Sequence, residues 1–398
     1  MMRALILALL VTFAGPASAQ VTDKAVLQSQ IESGSDLSSR ASRVLFKARA
    51  RQDDGEYAEA AASLESWLGD SSHTDHHLLR FQLAASYLGL EQAEKAVAAL
   101  ELAVQLEPKF ARAWLRLGEA AYALESFGTA GDAFSNAYDL SPEQNPTILY
   151  YAGVCLLSDN QAVRSLELLM QLIDENATVA TRDWYQALIA AAVDAKAPEK
   201  AEPYLVRLVD SDPSDPANWR LAYQFHAGQA DYEKAASDLT IASYLEDLNA
   251  KELGQLGDLY AFINVPLQAA RYYERALQLK PEPMASDYRR LASAWMGAFE
   301  WDAARVILDT GLAVVPTTKL WALKGDLEYS VADYAASLVA FEASVNSDQG
   351  FGRGHLMMGY CALELGDEKA AREYLNRAAA FSDHSKSATS LLAQLDAR

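Results

Sequence analysis

Two stretches of this chain repeat each other at fixed offsets. In one, Trp114, Leu117 and Gly118 are followed by Ala130, Phe134, Ala137 and Pro142. In the other, Leu253, Leu256 and Gly257 are followed, after Tyr260, by Ala269, Tyr273, Ala276 and Pro281, with the same internal spacing. The small residue in the second half of the unit recurs as Ala60, Ala96, Ala130, Ala201, Ala235, Ala269, Ala304 and Ala371, with Ser165 and Ser337 in two degraded copies. The steps between successive positions are 36, 34, 35, 36, 34, 34, 35, 33 and 34 residues. Self-similarity at such a period means one supersecondary unit stacked many times, because no single copy can bury its own apolar face.

Each copy reads as two amphipathic helices joined by a short turn. In the third, the pattern predicts helix A from about residue 111 to 124 and helix B from about 129 to 140. Gly118 and Ala130 are small so that the two helices can cross closely. Trp114, Leu117 and Phe134 fill the space between them. Pro142 cannot continue helix B, and Pro108, Pro213, Pro281 and Pro316 stand at the same point of their copies.

These residues resemble the tetratricopeptide repeat family, whose pattern is a Trp or Leu, a Leu-Gly pair, a Tyr, an Ala, an aromatic or Leu, an Ala and a Pro. The resemblance implies an all-α, right-handed superhelical solenoid of about ten helix-turn-helix repeats. The expected organisation is a signal peptide over 1–19, a flexible leader or frayed helix over 20–40, the solenoid over 41–380 and a C-terminal capping helix over 381–398. The last part carries Ala388, Leu391, Leu392 and Leu395 at helical spacing.

The signal-peptide reading rests on Arg3, the apolar run from Ala4 to Phe13 and the small-residue site Ala17-Ser18-Ala19, which makes Gln20 the first mature residue. The run is too short to span a bilayer. The expectation is export, to the periplasm first and otherwise secretion, with no membrane span in the mature chain. Cys155 and Cys361 are expected to remain unpaired, because solenoid units touch only their neighbours. The formal charge of −20 argues against nucleic acid and against an anionic lipid surface.

The sequence predicts no catalytic residues, no cofactor and no metal site, and thus a protein that is not an enzyme. His73, His76 and His77 read as solvated linker histidines. The run Gly350, Gly352, Gly354 follows a helix rather than a strand and reads as a turn, not a phosphate loop.

The family resemblance implies that helix A lines a concave partner-binding groove. The positions that carry over are Leu78, Phe81, Ala85 and Leu88 in the second copy, Arg112, Leu115, Glu119 and Tyr122 in the third, and Thr147, Tyr150, Val154 and Leu157 in the fourth. Arg220 follows later. A solvent-facing cluster of Phe81, Leu115, Tyr122 and Tyr150 is the expected interaction surface. The lysine–asparagine carboxylate clamp of some members is absent, since the corresponding pairs are Phe81 with Ala85, Leu115 with Glu119 and Tyr150 with Val154. The expected function is a non-enzymatic scaffold or adaptor of the bacterial envelope that holds a peptide or helical segment of a protein partner. Similar repeat proteins serve TonB-type energy transduction and polysaccharide export, and Gly359-Tyr360-Cys361-Ala362 resembles the TonB-associated ones. The alternative is a glycan- or peptidoglycan-binding module, with aromatic rings stacked on sugar faces.

Overall fold

A computed structural model describes residues 37–396. The signal-peptide reading, and the leader up to residue 36, therefore lie outside the described residues. Among these, every regular element is helical. The chain divides into two compact units, at Ser211 and Asp212.

Unit 1 holds five helical hairpins. They are α1 (Ser39–Asp53) with α2 (Tyr57–Leu68), α3 (His77–Gly89) with α4 (Ala93–Leu106), α5 (Ala111–Ala123) with α6 (Phe127–Leu140), α7 (Pro146–Ser158) with α8 (Ala162–Glu175), and α9 (Arg182–Asp194) with α10 (Glu202–Ser211). Unit 2 holds five more and a last helix. These are α11 (Pro216–Gly228) with α12 (Tyr232–Leu245), α13 (Ala250–Phe262) with α14 (Pro266–Gln278), α15 (Ala285–Gly297) with α16 (Trp301–Val314), α17 (Thr318–Ser330) with α18 (Tyr334–Ser347), α19 (Gly352–Glu364) with α20 (Glu368–Ala379), then α21 (Ser382–Asp396). Within each unit helices pack on their chain neighbours, and several first helices also touch the first helix of the next hairpin.

The ten small residues read from the sequence are all completely buried. The two serines add a polar group at that point and satisfy it: Ser165 Oγ donates to the Gly153 carbonyl at 2.7 Å, and Ser337 Oγ to the Gly325 carbonyl at 2.9 Å. The close crossing is also explicit. A Cβ placed on Gly118, Gly153, Gly257, Gly325 or Gly359 would stand 2.6–2.7 Å from Phe134, Leu169, Tyr273, Phe341 or Leu375 respectively. Each of these partners lies sixteen residues further on, in helix B of the same hairpin. Prolines follow the ends of α4, α6, α10, α14 and α16, where they cannot extend the helix.

The fifth hairpin departs from the pattern. Its second helix is split into a 3₁₀ turn, Pro198–Lys200, and α10. Pro203 has no N–H to give to the residue four before it, so the α-helix cannot run back through that point.

The turns inside the hairpins share a geometry that the sequence hides. Residues 55, 91, 125, 160, 196, 230, 264, 299, 332 and 366 all have φ between +57° and +82°. Each stands five residues before the buried small residue of its copy. The next residue returns its N–H to the carbonyl five back, as in Gln92 to Tyr87 at 2.9 Å and Val265 to Tyr260 at 2.8 Å. This is the Schellman ending of a helix, which normally takes glycine or asparagine. Here only Gly55, Gly366, Asn160 and Asn264 are of those types. Ala230, Phe299 and Ala332 bear a cost of about 1–2 kcal/mol each for the left-handed conformation.

Candidate functional site

In unit 1 the first helices of hairpins 1, 2 and 3 enclose a cleft of about 470 Å³. Its wall is apolar where Phe81, Leu88 and Leu100 reach it and charged where Arg49, Asp53 and Arg116 do. At its base Gln82 Nε2 donates to Gln52 Oε1, and Gln52 Nε2 donates to the Gln82 backbone carbonyl at 2.9 Å and to Ser86 Oγ. Gln82 and Ser86 are buried, so this polar floor holds α1 against α3 at a fixed register. Arg116 pairs with Glu119 one turn along α5, at 2.7 Å. Tyr57 closes the end of the cleft, with its ring against Gly89.

The groove residues read from the sequence fall into three groups. Leu78, Phe81 and Leu157 are buried, at 1 %, 8 % and 4 % exposure. Leu88, Leu115, Tyr122, Tyr150 and Arg112 are half-buried. Arg220 belongs to unit 2 and is ion-paired with Glu246 and Glu252, the latter at 2.8 Å. The expectation of a bare aromatic cluster is thereby corrected. Successive first helices pack so closely that Phe81 and Tyr150 tuck against the next hairpin. Phe81 meets Phe110 at 5.1 Å between centroids, and Tyr150 stacks towards Trp184 at 6.5 Å. Leu115 and Tyr122 pack with Phe127 and Ile148 around a core that includes Phe134. Burial, with Asp183 adding to it, pushes the Tyr150 hydroxyl up to about 12, so it stays neutral.

Sequence reasoning missed Arg49, Gln52 and Arg116 as cleft residues. Arg49 and Gln52 lie in the first copy, which with the one around Gly325 matches the pattern least, and Arg116 sits one place beyond the carried-over position held by Leu115. The histidines also differ from expectation. His73 stacks on Trp67 at 3.6 Å, His76 accepts the Leu78 N–H as the cap of α3, and His77 lies edge-on to Phe110. They are packed groups rather than solvated ones. Among the described residues no three His, Cys, Asp or Glu side chains are grouped to hold a metal ion. Cys155 and Cys361 are buried free thiols, and burial pushes Cys155 up to about 12.

Unit 2 has a cleft of about 400 Å³ beside Tyr273, Arg289 and Arg290. Its Arg290 is already held by Asp258 at 3.0 Å, and Asp258 also accepts from the Tyr273 hydroxyl at 2.7 Å.

The tetratricopeptide repeat family profile matches residues 81–145 and 323–385, one stretch in each unit. The chain carries tetratricopeptide repeats in both units. No curated protein matches it in sequence. Among solved structures, the Naa15/Naa10 assembly bound to HypK-THB is similar over 88 % of this chain and 65 % of that one, at 16 % identity and a TM-score of 0.51. MamA is similar over 38 % of this chain and 90 % of its own, at 21 % identity and a TM-score of 0.36. YrrB, described as a TPR protein with an unusual peptide-binding site, aligns over 47 % of this chain and 96 % of its own, at 15 % identity and a TM-score of 0.38. Tetratricopeptide repeats are generally non-catalytic scaffolds for protein–protein interaction. No helix among the described residues is long and apolar enough to cross a membrane.

Proposed function

We propose that this tetratricopeptide repeat protein is an adaptor of the bacterial cell envelope that receives an extended or helical segment of a partner protein in the unit 1 cleft. The observation that carries the reading is the cleft itself: an apolar wall of Phe81 and Leu88 flanked by Arg49 and Arg116 over a rigid amide floor. Aromatic residues and arginine are the usual anchors of interfaces. The envelope location rests on the signal-like run at the start of the chain, and TonB-type transduction or polysaccharide export are the machines that such adaptors serve. The glycan alternative has less support, because the rings of Trp114 and Trp219 are partly buried against the core rather than offered to a sugar face.

The test is an in-cell photo-crosslink from Ala85 in the cleft, with Val163 on the exposed side of α8 as control. The expected result is one dominant protein adduct from Ala85, absent from Val163, on a chain whose mature terminus reads Gln20. An adduct pattern identical at both positions overturns the cleft reading, and a retained leader overturns the envelope one.

A further inference from the structure

Unit 2 leaves aromatic rings bare along the edge where the turns of hairpins 6, 7 and 8 follow one another. Phe262, at the end of α13, is 72 % exposed, and Phe299, in the turn after α15, is 75 % exposed. Phe262 lies 4.6 Å between centroids from Tyr232 of the preceding hairpin, and Phe299 lies 5.8 Å from Trp301. Val265 and Leu267 are exposed between them. Pro266 touches the end of α15, where a Cβ on Gly297 would stand 3.1 Å from it. The apolar edge is therefore continuous from Tyr232 to Trp301. Contiguous exposed apolar surface of this kind marks interaction sites.

Phe299 is the anomaly of the edge. It occupies the left-handed turn position at φ +62°, where the other nine hairpins carry glycine, asparagine, alanine or a long charged side chain. It is strained, and its ring is left largely in water. The left-handed conformation belongs to every hairpin turn of the fold; what is particular to Phe299 is an aromatic ring left in water there.

Charge selects the occupant. Glu233, Glu300 and Asp302 each adjoin one of the edge aromatics, and all three are exposed. Two of the neighbouring cations are engaged: Arg305 holds the buried Glu328 at 2.8 Å as well as Asp302, and Lys234 lies 3.6 Å from Asp231. An apolar ridge in an acidic surround disfavours a second copy of a chain with net charge −20 and favours a cation-bearing guest. We infer that this edge is a second docking surface, whose occupant is a partner segment in which apolar or aromatic residues alternate with lysine or arginine.

The experiment uses the full chain and two labelled synthetic peptides, one alternating Leu and Phe with Lys and the other with Glu in place of every Lys. Fluorescence anisotropy should give binding of the Lys peptide and at least about 100-fold weaker binding of the Glu peptide. Phe299→Gly should weaken the Lys peptide at least tenfold while raising the thermal midpoint by about 2–4 °C. Phe299→Asn, the residue type that hairpins 4 and 7 carry, should do the same. Ala332→Gly should raise the midpoint similarly and leave binding unchanged. Loss of affinity together with gained stability is a signature that a purely structural Phe299 does not produce. The inference is overturned if the Lys peptide fails to bind the unaltered chain, or if Phe299→Gly binds it within twofold of the original. A dimer in sedimentation that Phe299→Gly dissolves would assign the edge to a second copy and overturn the cationic occupant.

Discussion

Across the first-helix face of unit 1, neighbouring hairpins meet through rings: Phe81 on Phe110, Tyr150 towards Trp184. On the same face of unit 2 they meet through charges. Arg220 reaches Glu252 at 2.8 Å, Arg290 reaches Asp258 at 3.0 Å and Arg353 reaches Asp326 at 2.6 Å. In unit 1 the equivalent long-range ion pairs lie on the second helices instead. Arg164 meets Asp132 and Arg207 meets Asp174, with all four side chains about half exposed. One backbone repeat thus supports two kinds of surface. Apolar contacts leave a cleft whose Phe81 and Leu88 wall a guest side chain can meet. Ion pairs fix the stacking register but spend the groups that would otherwise recognise a ligand, and exposed aromatics move to the turn edge.

The comparison breaks first if the crossings are not what hold each unit. Gly118→Leu in unit 1 and Gly257→Leu in unit 2 should each cost about 3 kcal/mol, the upper end for overpacking, because a Cβ already meets a buried ring. Hydrogen exchange should accelerate around the altered hairpin and its immediate neighbours, as nearest-neighbour stacking requires. Uniform acceleration through both units would show one cooperative block instead.

The charged side is sharpened by a pair of arginines. Arg305→Ala leaves Glu328 with its charge buried and should cost about 2 kcal/mol, less than a fully enclosed pair because Arg305 is itself a third exposed. Arg164→Ala removes a partner from an exposed pair and should cost less than about 0.5 kcal/mol. Denaturant titration of both variants checks the ratio. Equal losses would mean that unit 2's ion pairs are surface decoration.

A pH slope adds a separate check on unit 1. Burial, reinforced by His76 and opposed by Glu107, lowers His77 to about 4 from its ordinary 6.5. The unfolded chain therefore takes up a proton that the folded one refuses as pH falls from 6.5 towards 4, and stability is lost over that window. His77→Gln should flatten the midpoint-against-pH curve there. An unchanged slope would assign the loss to other groups.

Ten buried small residues, the prolines after five second helices and the packing glycines were legible from spacing alone, because each is dictated inside one copy. The third hairpin shows how far that goes: α5 ends at Ala123 and α6 begins at Phe127, within two residues of the expected limits. The cleft was only half legible. The position of Phe81 was readable, but its burial under Phe110 depends on how tightly one copy stacks on the next. Arg49 was hidden because its copy matches the pattern poorly, and Gln52 matters through Gln82 and Ser86, thirty and thirty-four residues away.

The sequence by itself determined that this chain must be a stack of helical hairpins, since a local period leaves no other way to bury each apolar face. Tertiary structure alone decided the rest. Each hairpin turn is left-handed whether or not glycine is present, because the return of one N–H to the carbonyl five back, and the crossing it permits, outweigh a local preference of about 1–2 kcal/mol. It also decided which rings are spent on stacking and which stay free to meet a partner, a choice set by the distance between neighbouring copies and written in no single one of them.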